Sequence, residues 1–494
     1  MSLSQKVGKA GILLAVRRVW GGIVTFLVMA YLARELNTED FGVLAISTVL
    51  IQFIQTIAVS GIVEYALFYN GKNKKAVFNA IFWFSVAAAL IVIIIVLLLV
   101  PLWADYYDNE NIITIVHLLL FAFFFQLLEE LPKAIFKKNI DFKPIVKIQM
   151  ITNTITNIAK VGFAFYGFGV LSLALPTAIF APFSAIAFFW KARFIPQRSL
   201  GLTYWKQILD FTKYLIGERI ITRVISEGDK LIIGSVWGIQ QLGIYALAKE
   251  FAGLLPTNLI PTITNITMPL MAKNNHNIEI VKKNFYKILR VMMFTITPML
   301  VVTFIFSDFL ITQIYGAKWE AAIFPTQVML LFFIVKSSSA IPSSLYSILG
   351  RPKIGFYFTA VYFPLFLIGL WLCTSFLDFN EAIIGIFTVK LLASASHFVI
   401  AKKLLNDSFK KLFAEVGPII LLSVLGLLAS LIISGTDFIS ATLSTLVFLT
   451  IVSLGFKLFL PNTLNDIITD IRSLIPKKEK NKTTQSTNQA PNTF

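Results

Sequence analysis

Apolar runs of roughly 20 residues recur along this chain, and they constrain its fold more than any other feature. One of them covers residues 77–103 without a charged side chain and is long enough to cross a bilayer as a helix. We count fourteen runs: 12–33, 41–68, 77–103, 112–131, 145–166, 170–190, 212–234, 242–271, 290–314, 323–347, 355–376, 382–401, 414–434 and 440–460. Because a backbone inside a bilayer must satisfy its own hydrogen bonds, these runs predict an all-α integral membrane protein with about 14 transmembrane helices.

Composition agrees with this class. Of the 494 residues, 57% are hydrophobic and 14% are charged, whereas about 25% of a soluble domain is charged. The net charge of +17 would suggest a nucleic-acid partner if the protein were soluble. In a membrane protein, the same excess is expected in the cytoplasmic connections between helices.

Basic residues do occupy alternate connections. With a cytoplasmic N-terminus, even-numbered connections such as "GKNKK" (71–75) and "KKLLNDSFKK" (402–411) are basic, whereas odd-numbered ones such as "RELNTED" (34–40) are acidic or sparse. Of the 43 Lys and Arg residues, only Arg34 and Lys318 are then assigned to the outer side. By the positive-inside rule, both termini are predicted to be cytoplasmic, and the net charge needs no nucleic acid.

The seventh run, 212–234, carries a polar stripe that a membrane helix rarely tolerates. The stripe falls within roughly 140° of one helical face and consists of Arg219, Thr222, Arg223, Ser226, Glu227 and Lys230. A charge at the bilayer centre costs at least ~2.5–3.5 kcal/mol, so such residues normally face a bundle interior or a water-filled cavity. A helix on the membrane surface would reverse every later connection, so we expect the run to span. A substrate-binding wall and a self-neutralised stripe of structural ion pairs both remain open.

Other charges recur inside the runs and extend this argument. They are Lys160, Lys249, Glu250, Lys336 and Lys390. Together they predict a wet, net cationic cavity, which would attract an anionic substrate. The candidate substrate-binding residues are Arg219, Arg223, Arg18, Lys230, Glu227, Lys160, Lys336 and Lys390.

Coupling to a proton or sodium ion would require a buried acid, and the candidates are Glu227, Asp229 and Glu250. No cofactor is predicted. His117, His276 and His397 are too scattered for a metal site.

A weak repeat relates two parts of the chain at an offset of 201 residues. The stretch "DFGVLAI" (40–46) aligns with "QLGIYAL" (241–247). The offset also places Arg18 on Arg219 and Thr25 on Ser226. Six helices separate the two starts, so the halves have parallel topology, as in transporters built from two like lobes. We therefore assign residues 1–200 to an N-lobe, 201–411 to a C-lobe, 412–460 to two further helices and 461–494 to a cytoplasmic, disordered tail.

Five motifs in order make the chain similar to a known family. They are "ARELNTEDFGVLAIST" (33–48), "AIFKKNIDFKPIVKIQM" (134–150), "YGFGVLSLAL" (166–175), "GDKLIIGSVWGIQQLGIYALAKEF" (228–251) and "LLPTNLIPTITNITMPLM" (254–271). With them the chain resembles the polysaccharide flippases of the multidrug/oligosaccharidyl-lipid/polysaccharide exporter superfamily, in particular exporters of the colanic-acid and teichuronic-acid (Wzx) type. Two departures are Leu171, where the family pattern has Trp, and Glu64, where members are often neutral.

The resemblance implies two six-helix lobes in a V around a central cavity, with two extra helices. It implies alternating access and a cargo of undecaprenyl-pyrophosphate-linked oligosaccharide, flipped to the outer leaflet of the bacterial cytoplasmic membrane for surface polysaccharide assembly. The lipid bilayer and the polysaccharide polymerase machinery are the implied partners, and no enzymatic activity is implied. Arg gives bidentate phosphate contacts and Lys acts as a point charge, so the cationic stripe suits a pyrophosphate.

Three other functions stay open at this point. A membrane polymerase or ligase would need a catalytic platform outside the bilayer, and the outer connections are short. A MATE-like exporter of cationic drugs would favour a more acidic cavity. A flippase for the peptidoglycan precursor would share both the fold and the charge of the cavity.

Overall fold

The computed structural model describes residues 3–69, 71, 73–273, 276–433, 435, 437–459, 465–467 and 469. Throughout this part the chain is helical and contains no strand, which confirms the predicted fold class. The first eight helices are α1 (Leu3–Glu35), α2 (Thr38–Val59), α3 (Ile62–Phe68), α4 (Lys74–Tyr106), α5 (Asn111–Lys138), α6 (Lys143–Phe165), α7 (Leu171–Ala192) and α8 (Leu202–Lys273). The predicted tail, 461–494, lies almost entirely outside the described residues.

The remaining helices complete the bundle. They are α9 (Ile278–Ile305), α10 (Ser307–Phe309), α11 (Ile323–Ile348), α12 (Pro352–Phe376), α13 (Phe379–Leu405), α14 (Phe409–Leu431) and α15 (Phe438–Phe459). A π-helical turn, Leu310–Tyr315, and a 3-10 segment, Ala317–Ala322, lie between α10 and α11.

Helix α8 contains two membrane passes. Its 72 residues would extend about 110 Å as one straight helix, against a hydrocarbon core of about 30 Å. Gly238 breaks it at φ 81° and ψ 173°, a conformation that only glycine adopts without strain. The Tyr245 hydroxyl donates to Asp229, and the Lys249 ammonium donates to the Ser226 carbonyl at 2.7 Å. The first pass (202–237) and the second pass (239–273) therefore form an antiparallel hairpin.

Among the residues that the structure describes, twelve segments are long and apolar enough to cross a membrane. One of them, Leu202–Pro261, covers most of both passes of α8, and α6 is absent from the twelve although it has 23 residues. Counting α6 and both passes of α8 gives the fourteen helices that the apolar runs predict.

The acidic connections gather at one end of the bundle. Asn109 donates to Glu39 at 2.6 Å, which ties the α4–α5 connection to the start of α2. The rings of Trp237 and Phe379 lie 5.7 Å apart, which ties the turn of the α8 hairpin to the start of α13. We call this end the acidic end.

The basic connections gather at the opposite end. The Lys138 ammonium at the end of α5 donates to the Ala66 carbonyl at 3.0 Å. The backbone N–H of Gln197 donates to Oδ1 of Asn79, near the start of α4. The Tyr286 hydroxyl of α9 reaches Asp407 between α13 and α14 at 3.1 Å. We call this end the basic end.

Helix dipoles help to sort the charges between the two ends. Helices α2 and α13 start at the acidic end with capping boxes, in which Asn37 pairs with Asp40 and Asp378 with Glu381. Three helices that finish at the basic end, α5, α7 and α13, carry lysines in their last turns, as α5 does with Lys137 and Lys138. Acids at helix N-termini and cations at helix C-termini are both electrostatically favourable, so each end stabilises the charge it carries.

The two glycines that the repeat aligns allow α2 and α8 to approach each other closely. A Cβ on Gly42 would lie 2.0 Å from the carbonyl oxygen of Ile239, and a Cβ on Gly243 would lie 1.8 Å from that of Thr38. The 201-residue offset places Thr38 on Ile239 and Gly42 on Gly243. Each of the two contacts is therefore the counterpart of the other, as expected for halves related by a two-fold axis. The lobe boundaries at 200 and 411 and the V arrangement stay predictions.

A second contact closes the acidic end beside this crossing. The Lys318 ammonium donates to the carbonyls of Arg34 and Leu36 at 2.8 and 2.6 Å, and the buried Trp319 indole donates to the carbonyl of Ala33 at 2.8 Å. The Arg34 guanidinium donates in return to the carbonyl of Ile314 at 2.8 Å. The two cations predicted at the outer side thus bond to the ends of helices in opposite halves of the chain.

Candidate functional site

A cavity of about 700 Å³ opens among α2, α5, α6, α7 and the first pass of α8. It extends to Lys133 on α5, near the basic end, and to Ser226 on α8. Its volume lies within the range of ligand sites, about 300–1,000 Å³. The close approach of α2 and α8 at Gly42 and Gly243, which we call the glycine crossing, closes the acidic end. The cavity lies on the basic side of this closure.

The charged side chains that line the cavity have a cationic excess. They are Lys133, Lys160, Arg219, Arg223, Glu129 and Glu130. Lys133 is neutralised locally, because its ammonium lies 2.8 Å from Glu129 and 3.0 Å from Glu130. Lys160 has no acid within ion-pair distance in the described part of the chain. The cations of the lining that pair with no acid of the lining are therefore Lys160 and the two arginines.

Arg219 and Arg223 lie one helical turn apart on the first pass of α8, and both reach across to the N-terminal half. The Arg223 guanidinium donates to Gln52 at 3.0 Å and to Thr56 at 3.3 Å. Arg219 forms an ion pair with Glu64 of α3. Both arginines line the cavity with part of their surface while bridging the two halves.

An uncharged polar surface faces the arginines across the cavity. It comprises Gln126 of α5, Gln149, Asn153, Thr156 and Asn157 of α6, and Thr177 of α7, and we call it the amide–hydroxyl wall. On α6 these residues recur at helical spacing and continue to Lys160. The opposite face of α6 exposes Ile151, Ile155 and Ile158, as expected for a lipid-facing surface.

Asp229 is the centre of a separate charge cluster inside the C-terminal half. Its side chain is fully buried. The Lys249 ammonium lies 3.0 Å from Oδ1, the Tyr245 hydroxyl donates to Oδ2 at 2.6 Å, and Lys390 of α13 also contacts Oδ2. The Lys390 ammonium lies above the rings of Phe366 and Phe387, at 5.5 and 5.3 Å. A buried carboxylate held by two ammonium groups is stable only while its partners remain.

The polar stripe of the seventh run therefore divides into two parts. Arg219 and Arg223 point to the cavity and to the N-terminal half. Glu227 pairs with Lys230 at 2.9 Å and lies 3.8 Å from Lys249, beside the Asp229 cluster. The first part lines the cavity, and its role in substrate binding stays a prediction, whereas the second part consists of ion pairs.

The other predicted residues lie away from the cavity lining. Lys336 is exposed on α11, with its ammonium 5.6 and 5.7 Å from the rings of Phe332 and Phe333. Arg18 is half-buried on α1, and it is the adjacent Arg17 that donates to the cavity residue Gln149. Of the eight predicted substrate-binding residues, the cavity brings together Arg219, Arg223 and Lys160.

Glu250 occupies a different place from the other two coupling candidates. It lies on the second pass of α8 and lines a pocket of about 20 Å³ against Thr25 of α1 and Tyr315. Lys230 and Lys160 are its electrostatic neighbours. It lies deep within the bundle but is accessible to solvent, whereas Asp229 is buried and fully paired.

Sequence reasoning missed the amide–hydroxyl wall because it searched the runs for charges. The signal was available: "QMITNTITNIAK" (149–160) alternates amides and hydroxyls with isoleucines at helical spacing. Within the described residues, no three His, Cys, Asp or Glu side chains are grouped as metal ligands would be.

Residues 31–324, which make up more than half of the chain, match the family model described as "Polysaccharide biosynthesis protein". The chain is 21% identical over 297 residues to the teichuronic acid biosynthesis protein TuaB of Bacillus subtilis, covering 56% of this chain and 58% of that protein. It is 23% identical over 413 residues to the lipopolysaccharide biosynthesis protein WzxC of Escherichia coli, covering 79% of this chain and 82% of that protein.

Among solved structures, the chain is similar to the lipid II flippase MurJ in an inward closed conformation. The TM-score is 0.73 at 15% sequence identity, and the match covers 92% of this chain and 100% of that one. At this identity the likeness establishes a shared fold.

Proposed function

Because the chain belongs to the family of polysaccharide biosynthesis proteins, we propose that it is a transporter for an anionic lipid-linked oligosaccharide. The cargo is an undecaprenyl-pyrophosphate-linked repeat unit, which is made on the cytoplasmic face and moved to the outer leaflet by alternating access. The names of the two relatives, which refer to teichuronic acid and to lipopolysaccharide, favour surface polysaccharide assembly as its purpose.

One observation carries this proposal: Arg219 and Arg223 line a 700 Å³ cavity within a membrane bundle. Adjacent guanidinium groups suit the oxygens of a pyrophosphate, since each can donate two parallel hydrogen bonds. Their present partners are side chains, which a phosphate could replace. The acyl chain stays in the bilayer while the polar headgroup occupies the cavity.

The basic end is assigned to the cytoplasm, in accordance with the positive-inside rule. The cavity then opens toward the side on which the cargo is made, and the glycine crossing closes the outer side. With the start of α1 and the end of α15 at the basic end, we assign the protein to the cytoplasmic membrane with its N- and C-termini inside.

Glu250 is the residue to which we assign ion coupling, because Asp229 and Glu227 each already have two ammonium partners. Its pocket has room for about one water or small ion. In proteoliposomes with an imposed proton or sodium gradient, Glu250→Gln should bind cargo but lose the stimulation of transport by the gradient. Retained stimulation would exclude Glu250 as the coupling residue.

Deletion of the gene in its own host, followed by mass spectrometry of lipid-linked intermediates, tests the proposed cargo. Accumulation of an undecaprenyl-pyrophosphate oligosaccharide, with loss of surface polysaccharide, is the expected result. Accumulation of peptidoglycan precursor would instead support the precursor flippase. A cell with no accumulated lipid intermediate but greater drug sensitivity would support a drug exporter.

The double variant Arg219→Ala/Arg223→Ala tests the site itself. Complementation of the deletion by this variant should fall at least about tenfold, because two charge-assisted contacts to phosphate are lost. Lys206→Ala/Lys213→Ala removes two cations from the same helix outside the cavity and should complement normally. Full export by the arginine variant would refute the cationic site, provided that both proteins are present in the membrane in equal amounts.

A further inference from the structure

The cavity has two chemically different walls, and we propose that the amide–hydroxyl wall is the binding site for the neutral sugar units of the cargo. The phosphates are held by Arg219 and Arg223 on the opposite wall. This assignment rests on the proposed transport of a lipid-linked oligosaccharide, and it adds which part of the cavity recognises the glycan.

The residue types of the wall fit sugar hydroxyls better than phosphates. An amide side chain offers both donors and acceptors, and a threonine hydroxyl is both donor and acceptor. Sugar hydroxyls need both, whereas a phosphate accepts only. The stretch of α6 from Gln149 to Asn157 carries no charge, Lys160 lines the cavity at one end of it, and Arg17 of α1 donates to Gln149 at the other. A neutral, hydroxyl-rich ligand is therefore its complement.

Several groups of the wall are free to bind a ligand. Asn157 already donates to the Asn153 carbonyl at 2.9 Å, and Gln149 accepts from Arg17. The side chains of Gln126, Asn153 and Thr156 have no hydrogen-bond partner in the described part of the chain, although all three line the cavity. Asn153 is also exposed to it.

Folding of the bundle alone does not account for this wall. An unpaired amide or hydroxyl inside a membrane costs free energy unless water or a ligand satisfies it. Ile151, Ile155 and Ile158 already give α6 a face suited to lipid. A helix selected only for packing would carry small or apolar residues on its inner face as well. The polar face indicates a ligand whose own polar groups meet it inside the cavity.

The two subsites lie on different helices of one cavity. Gln52 and Thr56, which bond Arg223, are on α2, whereas Asn153 and Thr156 are on α6. A headgroup whose pyrophosphate binds the arginines can extend its first sugars across the cavity to Asn153 and Thr156. A cavity of 700 Å³ accommodates a short headgroup and excludes a long polymer.

The test separates glycan binding from phosphate binding with two probes. One is the lipid-linked oligosaccharide extracted from the host after depletion of this gene, and the other is undecaprenyl pyrophosphate without sugar. Dissociation constants are measured by thermophoresis for the full-length protein in nanodiscs. The wall variant is Asn153→Leu/Thr156→Val, the anion variant is Arg219→Ala/Arg223→Ala, and Thr388→Val on α13 is a hydroxyl control outside the cavity.

We expect the wall variant to weaken binding of the oligosaccharide about tenfold and to leave undecaprenyl pyrophosphate within about twofold. The anion variant should weaken binding of both probes, and the Thr388 control should change neither. Equal weakening of both probes by the wall variant, or weakening of neither, would overturn the glycan assignment. If the wild-type protein binds neither probe, the proposed function itself fails. Thr156→Val alone, measured with the same probes, keeps the test decisive should the double variant not fold.

Discussion

The two halves of the chain meet at the acidic end and beside the cavity, and their polar contacts use different chemical groups. At the acidic end the contacts go to the main chain: Gly42 and Gly243 approach opposing carbonyls, and Lys318 donates to the carbonyls at the end of α1. Beside the cavity Arg219 and Arg223 donate only to side chains of the N-terminal half, although Gly61 also packs closely against Thr212 on that side.

This difference indicates which contact can exchange during transport. The approach of Gly42 and Gly243 to opposing carbonyls cannot open unless the helices separate, so this contact is all or none. A side chain can turn to another rotamer and release its partner with no change in the backbone. An anionic ligand can therefore replace the partners of the two arginines, whereas the contact between the two glycine positions has no equivalent exchange.

The largest expected effect comes from Gly243→Ala at the acidic end. The added Cβ would lie 1.8 Å from the Thr38 carbonyl, so α2 and α8 must separate. Overpacking of this kind costs about 1–3 kcal/mol or more. Thermal stability in detergent, measured by fluorescence-detected size-exclusion chromatography after heating, should fall clearly.

Gly217→Ala is the matched control for that prediction. It is the same change on the same helix, but a Cβ at this position meets no neighbour within 4 Å. It should leave stability unchanged or raise it slightly, since alanine favours helix. Equal effects of the two variants would show that the crossing is not a tight contact.

A smaller effect is expected from Lys318→Met, which removes two hydrogen bonds to the end of α1. Because the lysine is exposed, we expect a loss of roughly 1–2 kcal/mol in the free energy of unfolding. The same heating assay measures it. Lys213→Met, whose partner Asp210 is on the same helix, should change little. An unchanged stability of the Lys318 variant would leave the glycine crossing as the main closure.

The smallest effect on stability is expected from Glu64→Gln at the basic end. Arg219 and Glu64 are both about 40% exposed, and such ion pairs contribute about 0–1 kcal/mol. The variant should nevertheless bind undecaprenyl pyrophosphate a few-fold more tightly, because the carboxylate no longer competes for Arg219. Thermophoresis measures this change, with Glu279→Gln as a control acid on α9. Weaker binding would mean that Glu64 orients Arg219 for the ligand instead of competing with it.

Local sequence patterns predicted much of the fold. The alternation of basic and acidic connections placed both cations of the acidic end, Arg34 and Lys318, on one side. The weak repeat aligned Gly42 with Gly243 before their contact was known. The membrane biases the charge of the connections, and close approach of two helix backbones requires small residues. Both requirements can be read from short stretches of sequence, which is why these predictions succeed.

The partners of the charges could not be predicted in the same way. Asp229 and Lys390 are 161 residues apart, and no spacing rule along a single helix relates them. The stripe on α8 was correctly placed on one helical face, but only tertiary packing shows that Arg223 faces the cavity while Glu227 faces Lys249. Helical periodicity predicts which residues share a face of a helix, but it does not predict which neighbouring helix that face contacts.

The glycine crossing can serve as the pivot for a rotation of α8 relative to α2. Arg219 lies 20 residues before Ile239 on α8, which is a lever arm of about 30 Å at 1.5 Å per residue. A rotation of about 10° at the crossing would displace the arginines by about 5 Å, which exceeds the length of any hydrogen bond they make. A tilt too small to disturb the packed end can therefore open or close the mouth of the cavity.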